Sequence, residues 1–371
     1  MKTRSLFLFA TTLLALSSCG AAPRENTTSI DTNTYWNGTY SNPLFVNSSS
    51  GSFYGSEVAD PCVVRGDDGY IYCFSTGGRA LRSEDGCQWE IYKESIIARP
   101  SWGDGFYENK IPGIWAPDVV KIGDKWIYYY SLSAWGGPCG IGYATADEIA
   151  GPYTDQGRLF FSEEIGGEYT VGVENAIDSQ VVIDDDGAVY MVVGSFHCCY
   201  MIQLTEDGMG LYKGHKYQKD NKILISSNRF EGSWIFKAGD YWYYMGSVGT
   251  CCNKKESSYH VRVGMSDSIT GPYIDSEGKR LDAPSEENGD LVVWSKGSNE
   301  NTKGPGHNAV IRDDAGDYWW YGHTYYDYDN FATRHLAMDK LQWDENDMPY
   351  IEGRELSYYD EINGPRWLEE N

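Results

Sequence analysis

The chain has 371 residues, with 54 acidic against 30 basic side chains and a formal net charge of −24. Its 41% hydrophobic and 23% charged residues are ordinary for a globular protein and exclude intrinsic disorder as the main state. The acidic balance argues against nucleic acid as a partner, because the phosphates would be repelled. The 30 Tyr, 13 Trp and 42 Gly residues favour short strands, tight turns and aromatic platforms over helices.

The N-terminus predicts export. A basic start precedes an apolar run, residues 6–16, that is too short to span a bilayer. The run leads to Cys19 and resembles a bacterial lipoprotein signal, in which Cys19 becomes the lipidated N-terminus. The alternative is an ordinary secretory signal that is cut near Ala21 and Ala22. We assign residues 1–19 to the signal peptide and residues 20–39, which are polar and aperiodic, to a tether.

A turn followed by an aromatic strand recurs five times along the rest of the chain. Alternating, β-branched or aromatic residues mark each copy as a strand, and a further strand and turn follow it. The five copies cover residues 68–75, 123–131, 186–195, 239–247 and 316–322. A short apolar strand that opens with a titratable residue precedes each copy, and these residues are Asp60, Asp118, Asp178, Glu231 and His307.

A unit of about 50–75 residues, repeated five times with several strands in each, predicts an all-β, five-bladed β-propeller over residues 40–371. The first strand of each propeller blade lines the central axis. The five leading residues are therefore expected in equivalent positions at one end of that axis.

These leading residues have two interpretations. An Asp at the start of a strand is often a structural turn residue that bonds to its own backbone. Four carboxylates and a His around one axis, however, cost folding free energy through repulsion and desolvation, and such a cluster is usually retained for a site. Glycoside hydrolysis is a chemistry that needs two carboxyl groups.

Eight cysteines remain besides Cys19, an even number that suits an oxidising compartment. If the turn at residues 66–69 closes a hairpin, Cys62 and Cys73 face each other across it, and a cross-strand disulfide is expected there. The adjacent pairs Cys198–Cys199 and Cys251–Cys252 either form vicinal disulfides or bond elsewhere. Zinc-type spacings are absent, so cysteine ligation of a metal is not expected.

The ordered motifs resemble family 43 glycoside hydrolases, especially the endo-α-1,5-L-arabinanase branch. The segments that carry the resemblance are residues 58–61, 115–118, 175–178, 194–196, 231–237, 251–252, 263–273 and 304–308. The resemblance implies a five-bladed propeller and an inverting mechanism. Motif by motif, it makes Asp60 the general base, Glu231 the general acid and Asp178 the residue that orients the acid and raises its pKa by repulsion.

The resemblance also implies a calcium ion held by His307 and a shell of waters. Calcium prefers oxygen ligands, so it would depend on water and nearby carboxylates. The alternative is a His that only hydrogen-bonds in the central channel. Asp118 is interpreted as structural rather than catalytic. The substrate contacts expected from the matching motifs are Trp115, Trp135, Gly136, Asn175, Ser195 and Phe196.

Some positions depart from the family pattern and leave the linkage and the endo or exo action open. They are Ala59, Gly232, Ser233, His197 and a longer insertion at residues 282–302. The sequence predicts a monomeric hydrolase of α-1,5-arabinan or a related arabinose-containing polysaccharide. It is expected in the outer membrane or periplasm, with membrane contact only through the lipid on Cys19. The alternatives are an exo-acting α-L-arabinofuranosidase or β-xylosidase, and a non-catalytic glycan-binding lipoprotein.

Overall fold

The structure, a computed structural model, describes residues 34–47, 57–104, 111–295, 300–358 and 360–368. The signal peptide with Cys19, and most of the tether, lie outside these residues. Among the described residues, no helix has the length and apolar character needed to cross a membrane.

The described chain is built almost entirely from strands. The strands are β1 (Tyr35–Trp36), β2 (Thr39–Tyr40), β3 (Phe45–Asn47), β4 (Cys62–Arg65), β5 (Ile71–Ser75), β6 (Arg79–Ser83), β7 (Gln88–Lys93), β8 (Gly113–Ile122), β9 (Lys125–Ser133), β10 (Gly140–Ala146), β11 (Thr154–Phe161), β12 (Gln180–Ile183), β13 (Val189–Val193), β14 (Cys199–Gln203), β15 (Ile223–Ser226), β16 (Glu231–Ala238), β17 (Tyr241–Val248), β18 (His260–Ser266), β19 (Asp290–Trp294), β20 (Thr302–Arg312), β21 (Tyr318–Tyr326), β22 (Arg334–Trp343), β23 (Pro349–Ile351), β24 (Ile362–Asn363) and β25 (Trp367–Leu368). The α-helix is α1 (Gly214–Asn221), and the short 3₁₀ turns are Glu163–Ile165, Lys254–Glu256, Asp327–Asp329 and Glu352–Arg354.

Five antiparallel sheets form the blades. They are β4–β7, β8–β11, β12–β15, β16–β19 and β20–β23, and β3 joins the outer edge of the first blade in parallel with β7. The inner strand of each blade contacts the inner strand of the next, and β20 contacts β4 to close the ring. This arrangement confirms the predicted five-bladed β-propeller.

The aromatic strands of the sequence repeat are the second strands of the blades, β5, β9, β13, β17 and β21. They are buried on both faces because every blade packs between two neighbours. In β9, Tyr128 and Tyr130 pack toward the first blade, while Tyr129 between them packs toward the third. The period of two in the sequence thus fills two separate cores.

The chain ends meet in two small sheets. β1 pairs with β25, and β2 pairs with β24. Tyr35 and Trp36, which the sequence analysis placed in the tether, therefore pair with a strand from the C-terminus. Farther along, the Leu44 N–H donates to the carbonyl of Leu336 in the fifth blade, so the N-terminal segment ties the last blade to the first.

The predicted disulfide between Cys62 and Cys73 is wrong. The Gly66 N–H donates to the Tyr70 carbonyl, so the turn is one residue longer than expected. Cys62 consequently pairs with Phe74 and Val63 pairs with Cys73, which sends the two thiols to opposite faces of the sheet. Cys198 and Cys199 are free thiols as well, whereas Cys251 and Cys252 form a vicinal disulfide.

Candidate active site

A cavity of about 1290 Å³ opens near the start of the inner strands. All the residues that the sequence predicted for the site line it. They are Asp60, Trp115, Trp135, Gly136, Asn175, Asp178, Ser195, Phe196, Glu231 and His307. All five blades therefore contribute residues to this one cavity.

Unusual backbone conformations aim these side chains into the cavity. Asp60, Asp178 and His307 have positive φ angles of 53°, 59° and 47°. Glycine tolerates such angles, whereas other residues adopt them at a cost, and they concentrate at functional sites. The equivalent residues in the second and fourth blades are Ala116 and Gly232, with φ angles of 33° and 56°, and both lie at β-bulges.

This register corrects the expectation that the five leading residues are equivalent. Glu231 lies one residue before the positive-φ position of its blade, and Asp118 lies two residues after it. Asp118 is buried outside the cavity lining, where its Oδ2 accepts the Val181 N–H at 2.8 Å and its Oδ1 accepts the Cys62 thiol at 3.6 Å. It joins the inner strands of three blades, in agreement with its structural interpretation.

The carboxylate of Asp60 lies close to the side-chain nitrogen atoms of two His residues and an Arg residue. Its Oδ1 is 3.3 Å from His307 Nδ1, 3.4 Å from His323 Nδ1 and 3.5 Å from Arg334 Nη1. The Thr76 hydroxyl donates to its Oδ2. Burial raises the pKa of Asp60, but His307, Arg334, His323 and the Thr76 hydroxyl outweigh burial, and the net pKa lies below its ordinary value.

Arg334 is the permanent charge beside Asp60. Burial lowers the pKa values of both His307 and His323, so both imidazoles are neutral at pH 7. The Asp60 N–H donates to His323 Nδ1 at 3.1 Å, which agrees with a neutral ring. Arg334 is itself held by Glu57 Oε1, at 3.1 Å, and by Cys252 Sγ, at 3.5 Å.

Asp178 and Glu231 occupy a different environment. Their relative exposures are 7% and 8%. The Ser195 hydroxyl donates to Glu231 Oε2 at 2.7 Å. Burial is the largest cause that raises the pKa of Glu231, which reaches about 7, while the nearby Tyr259 hydroxyl and the hydrogen bond from Ser195 work against that rise. Burial, followed by the charges of Glu231 and Asp60, also raises the pKa of Asp178. The main cause of the raised pKa of Glu231 is thus burial, and not the expected repulsion from Asp178.

An aromatic wall stands on the second-blade side of the cavity. The rings of Trp115 and Trp135 lie 5.2 Å apart, and Trp135 is 73% exposed. Flat aromatic faces suit the apolar C–H face of a sugar. Asn175 donates to the Ser195 carbonyl at 3.0 Å and Ser195 donates to Glu231, so both polar groups already have protein partners.

The residues around His307 do not by themselves form a calcium site. Calcium takes six to eight oxygen ligands. The carboxylate that faces His307 is Asp60, which is already bonded to Thr76 and Arg334. The described residues contain no group of three or more His, Cys, Asp or Glu side chains placed to hold a metal.

Sequence reasoning missed several residues of the cavity and its lining. Arg334, Thr76 and Trp294 line the cavity, and His323 and Tyr259 lie directly behind it. A His and an Arg within two largely apolar strands of the fifth blade are a weak signal for His323 and Arg334. Nothing in the local sequence links either of them to Asp60.

Comparison with known proteins identifies the family. The model of glycosyl hydrolases family 43 matches residues 53–349. The chain is a family 43 glycosyl hydrolase. This enzyme is 29% identical over 320 residues to an extracellular exo-α-(1→5)-L-arabinofuranosidase of Cellvibrio japonicus, with 82% of the chain and 88% of the relative covered. It is 30% identical over 240 residues to an extracellular endo-α-(1→5)-L-arabinanase of Bacillus subtilis, with 63% and 69% covered.

Solved structures agree with the family and the fold of the enzyme. An α-L-arabinanase of Cellvibrio cellulosa in complex with arabinohexaose superposes with a TM-score of 0.69 at 27% identity, covering 80% of this chain and 95% of that one. A family 43 endo-arabinanase of Bacillus licheniformis superposes with a TM-score of 0.67 at 29% identity, covering 81% and 99%.

Proposed function

We propose that this family 43 enzyme hydrolyses α-1,5-linked L-arabinan with inversion at the anomeric carbon. The observation that carries the proposal is one cavity in which Asp60 is held ionised and Glu231 has a pKa raised to about 7. The relatives named as arabinanases and as an arabinofuranosidase support arabinan as the substrate.

Each carboxyl group has a defined part in the proposed reaction. Glu231 gives its proton to the leaving glycosidic oxygen, and Asp60 takes a proton from the water that attacks the opposite face of the sugar. Asp178 shares the buried environment of Glu231, and in the proposed reaction it orients Glu231 and tunes its pKa. Trp115 and Trp135 provide the apolar face on which a furanose ring stacks.

Exo action is the second candidate. The Cellvibrio japonicus relative is named an exo-acting arabinofuranosidase, and an exo-1,5-α-L-arabinanase from a bovine ruminal metagenomic library superposes with a TM-score of 0.68 at 26% identity. The same carboxyl groups serve both modes, and the ends of the cleft decide between them. A β-xylosidase would instead release xylose from xylo-oligosaccharides, and a glycan-binding protein without activity would release no sugar.

Export to the cell envelope is part of the proposal. It is supported by the apolar N-terminal run with Cys19 and by the two relatives that are named extracellular. Mass spectrometry of the mature protein tests the lipid on Cys19. The calcium ion also stays a prediction, and loss of activity in EDTA that added Ca²⁺ restores would support it.

Product sizing on linear arabinan tests the proposed function. Early release of oligosaccharides indicates endo action, and release of one small product from the start indicates exo action. Binding without hydrolysis would show a glycan-binding protein and contradict the proposal. Proton NMR of the first products gives their anomeric configuration, and net retention would contradict the inverting roles of Asp60 and Glu231.

A further inference from the structure

The cavity extends beyond the carboxyl groups to the outer edge of the fourth blade. Its lining runs from Trp135 through Glu231 to Trp294. Glu231 lies on the inner strand β16 and Trp294 on the outer strand β19 of the same sheet. Three strand spacings separate them, about 14 Å. A sugar that Glu231 protonates therefore cannot also cover Trp294.

The size of the cavity points to a ligand with several sugar residues. Sites for small molecules usually enclose about 300–1,000 Å³. The volume of about 1290 Å³ in this cavity exceeds that range. The distal part is thus open space that one bound furanose does not fill.

The distal part has its own aromatic platform. Trp294 is 36% exposed and is the direct cross-strand partner of His260, whose ring centroid lies 5.0 Å from that of the indole at an angle of 34°. His260 Nδ1 donates to the Ser258 carbonyl at 2.8 Å, since a carbonyl can only accept. The hydrogen bond and the buried ring hold the platform in place.

Polar groups surround this platform. Arg229 forms an ion pair with Glu287, with Nε at 3.0 Å and Nη2 at 2.5 Å from Oε1. Arg262 Nη1 donates to the Gly289 carbonyl at 2.8 Å. All three charged side chains line the cavity. Arg229 and Glu287 neutralise each other, and Arg262 donates to a backbone carbonyl. A flat apolar face bordered by such donors and acceptors suits a neutral sugar with free hydroxyls.

We infer that Trp294 and His260, with Arg229 and Glu287 beside them, form a distal subsite for a neutral sugar residue of the same polysaccharide chain that is cleaved at Glu231. The inference rests on the proposed function and extends it, because it makes the enzyme prefer long chains. Trp294 ends β19 and lies within residues 282–302, the segment that the sequence analysis interpreted as an insertion.

Binding measured as a function of chain length tests the subsite. In a Glu231→Gln background, calorimetry with linear α-1,5-arabino-oligosaccharides of increasing length gives Kd for each length. Trp294→Ala is expected to weaken the binding of long oligosaccharides about tenfold, which is the loss of one stacked ring. Binding of the disaccharide is expected to stay unchanged. Trp294→Leu keeps apolar volume without the flat face and is expected to show the same length-dependent loss.

Trp343→Ala is the matched control, because Trp343 is also 36% exposed but packs on Tyr243 outside the cavity. Thermal unfolding verifies that each variant is folded. Unchanged affinity for long chains in both Trp294 variants would overturn the subsite, as would an equal loss at every length. If the Glu231→Gln parent binds no arabino-oligosaccharide at all, the proposed substrate fails, and the inference fails with it.

Discussion

The two sides of the cavity shift the pKa of a carboxyl group in opposite directions. On the side of the first and fifth blades, Asp60 faces Arg334, His307, His323 and a hydroxyl donor, and its pKa is lowered. On the side of the third and fourth blades, Glu231 and Asp178 share a buried environment without a bonded cation, and their pKa values are raised.

In the proposed mechanism, the neighbours of each carboxyl group, rather than its residue type, divide the roles of base and acid. Asp178 and Glu231 are buried and Asp60 is only slightly exposed, so burial acts to raise the pKa of all three carboxyl groups. His307, Arg334, His323 and the Thr76 hydroxyl lower the pKa of Asp60 alone. The three carboxyl groups thus divide into one with a lowered pKa and a pair with raised pKa values.

The largest expected effect is the loss of kcat on removal of Glu231 or Asp60, and it distinguishes the proposed acid from the proposed base. Glu231→Gln is expected to lower kcat on arabinan by about 10²–10⁴-fold, because the leaving oxygen loses its proton donor. On nitrophenyl α-L-arabinofuranoside, whose leaving group needs no proton, Glu231→Gln should retain most activity and Asp60→Asn should not. Steady-state kinetics on both substrates measures this. Equal losses of Glu231→Gln on the two substrates would contradict the assignment of the acid.

Removal of the guanidinium tests the Asp60 side. Arg334→Met leaves Asp60 buried without a permanent cation, so its pKa is expected to rise by about 1–3. The acid limb of the kcat/KM profile then moves up, and activity falls more at pH 5 than at pH 7. Arg334→Lys, which keeps the charge, is the control and should move the limb less. An unmoved acid limb in Arg334→Met would refute the part given to Arg334.

A smaller change tests the Glu231 side. Ser195→Ala removes the hydroxyl that stabilises ionised Glu231, so the pKa of Glu231 should rise. The alkaline limb of kcat/KM is expected to move up by about 1 pH unit, with kcat retained within about tenfold. Ser133→Ala, in the same cavity but on another blade, is the matched control. A downward shift in Ser195→Ala would be the wrong sign for this hydrogen bond.

The smallest effect concerns stability. Burial raises the pKa of Asp118 to about 7. A raised carboxyl pKa in the folded state means that stability is lost as pH rises from about 4 to about 7. Asp118→Asn keeps an acceptor for the Val181 N–H and should reduce the fall in Tm between pH 5 and pH 8 by a few degrees. A steeper fall than in the wild type would contradict the buried, protonated Asp118.

The fold, and the grouping of the predicted site residues in one cavity, followed from local patterns. A turn and an aromatic strand, repeated five times, predict five blades, and the inner strands bring Asp60, Asp178, Glu231 and His307 together. Such patterns carry strand order and burial because side chains alternate with a period of two.

The errors arose where one residue changes the register or where contacts are distant in sequence. One additional turn residue put Cys62 and Cys73 on opposite faces. The β-bulges shifted Asp118 and Glu231 away from equivalence with Asp60. Arg334 contacts Asp60 although the two residues are far apart in the sequence. A periodic pattern cannot predict a contact of that kind.

The pH dependence of kcat/KM on linear arabinan tests the central claim most directly, because it reports the ionisations of the free enzyme. The account predicts a bell-shaped profile. Its acid limb lies below the ordinary range of Asp, and its alkaline limb, near pH 7, belongs to the coupled Asp178 and Glu231 pair. A profile that stays flat to pH 9, or that rises only above pH 5, would contradict an ionised Asp60 opposite a protonated Glu231.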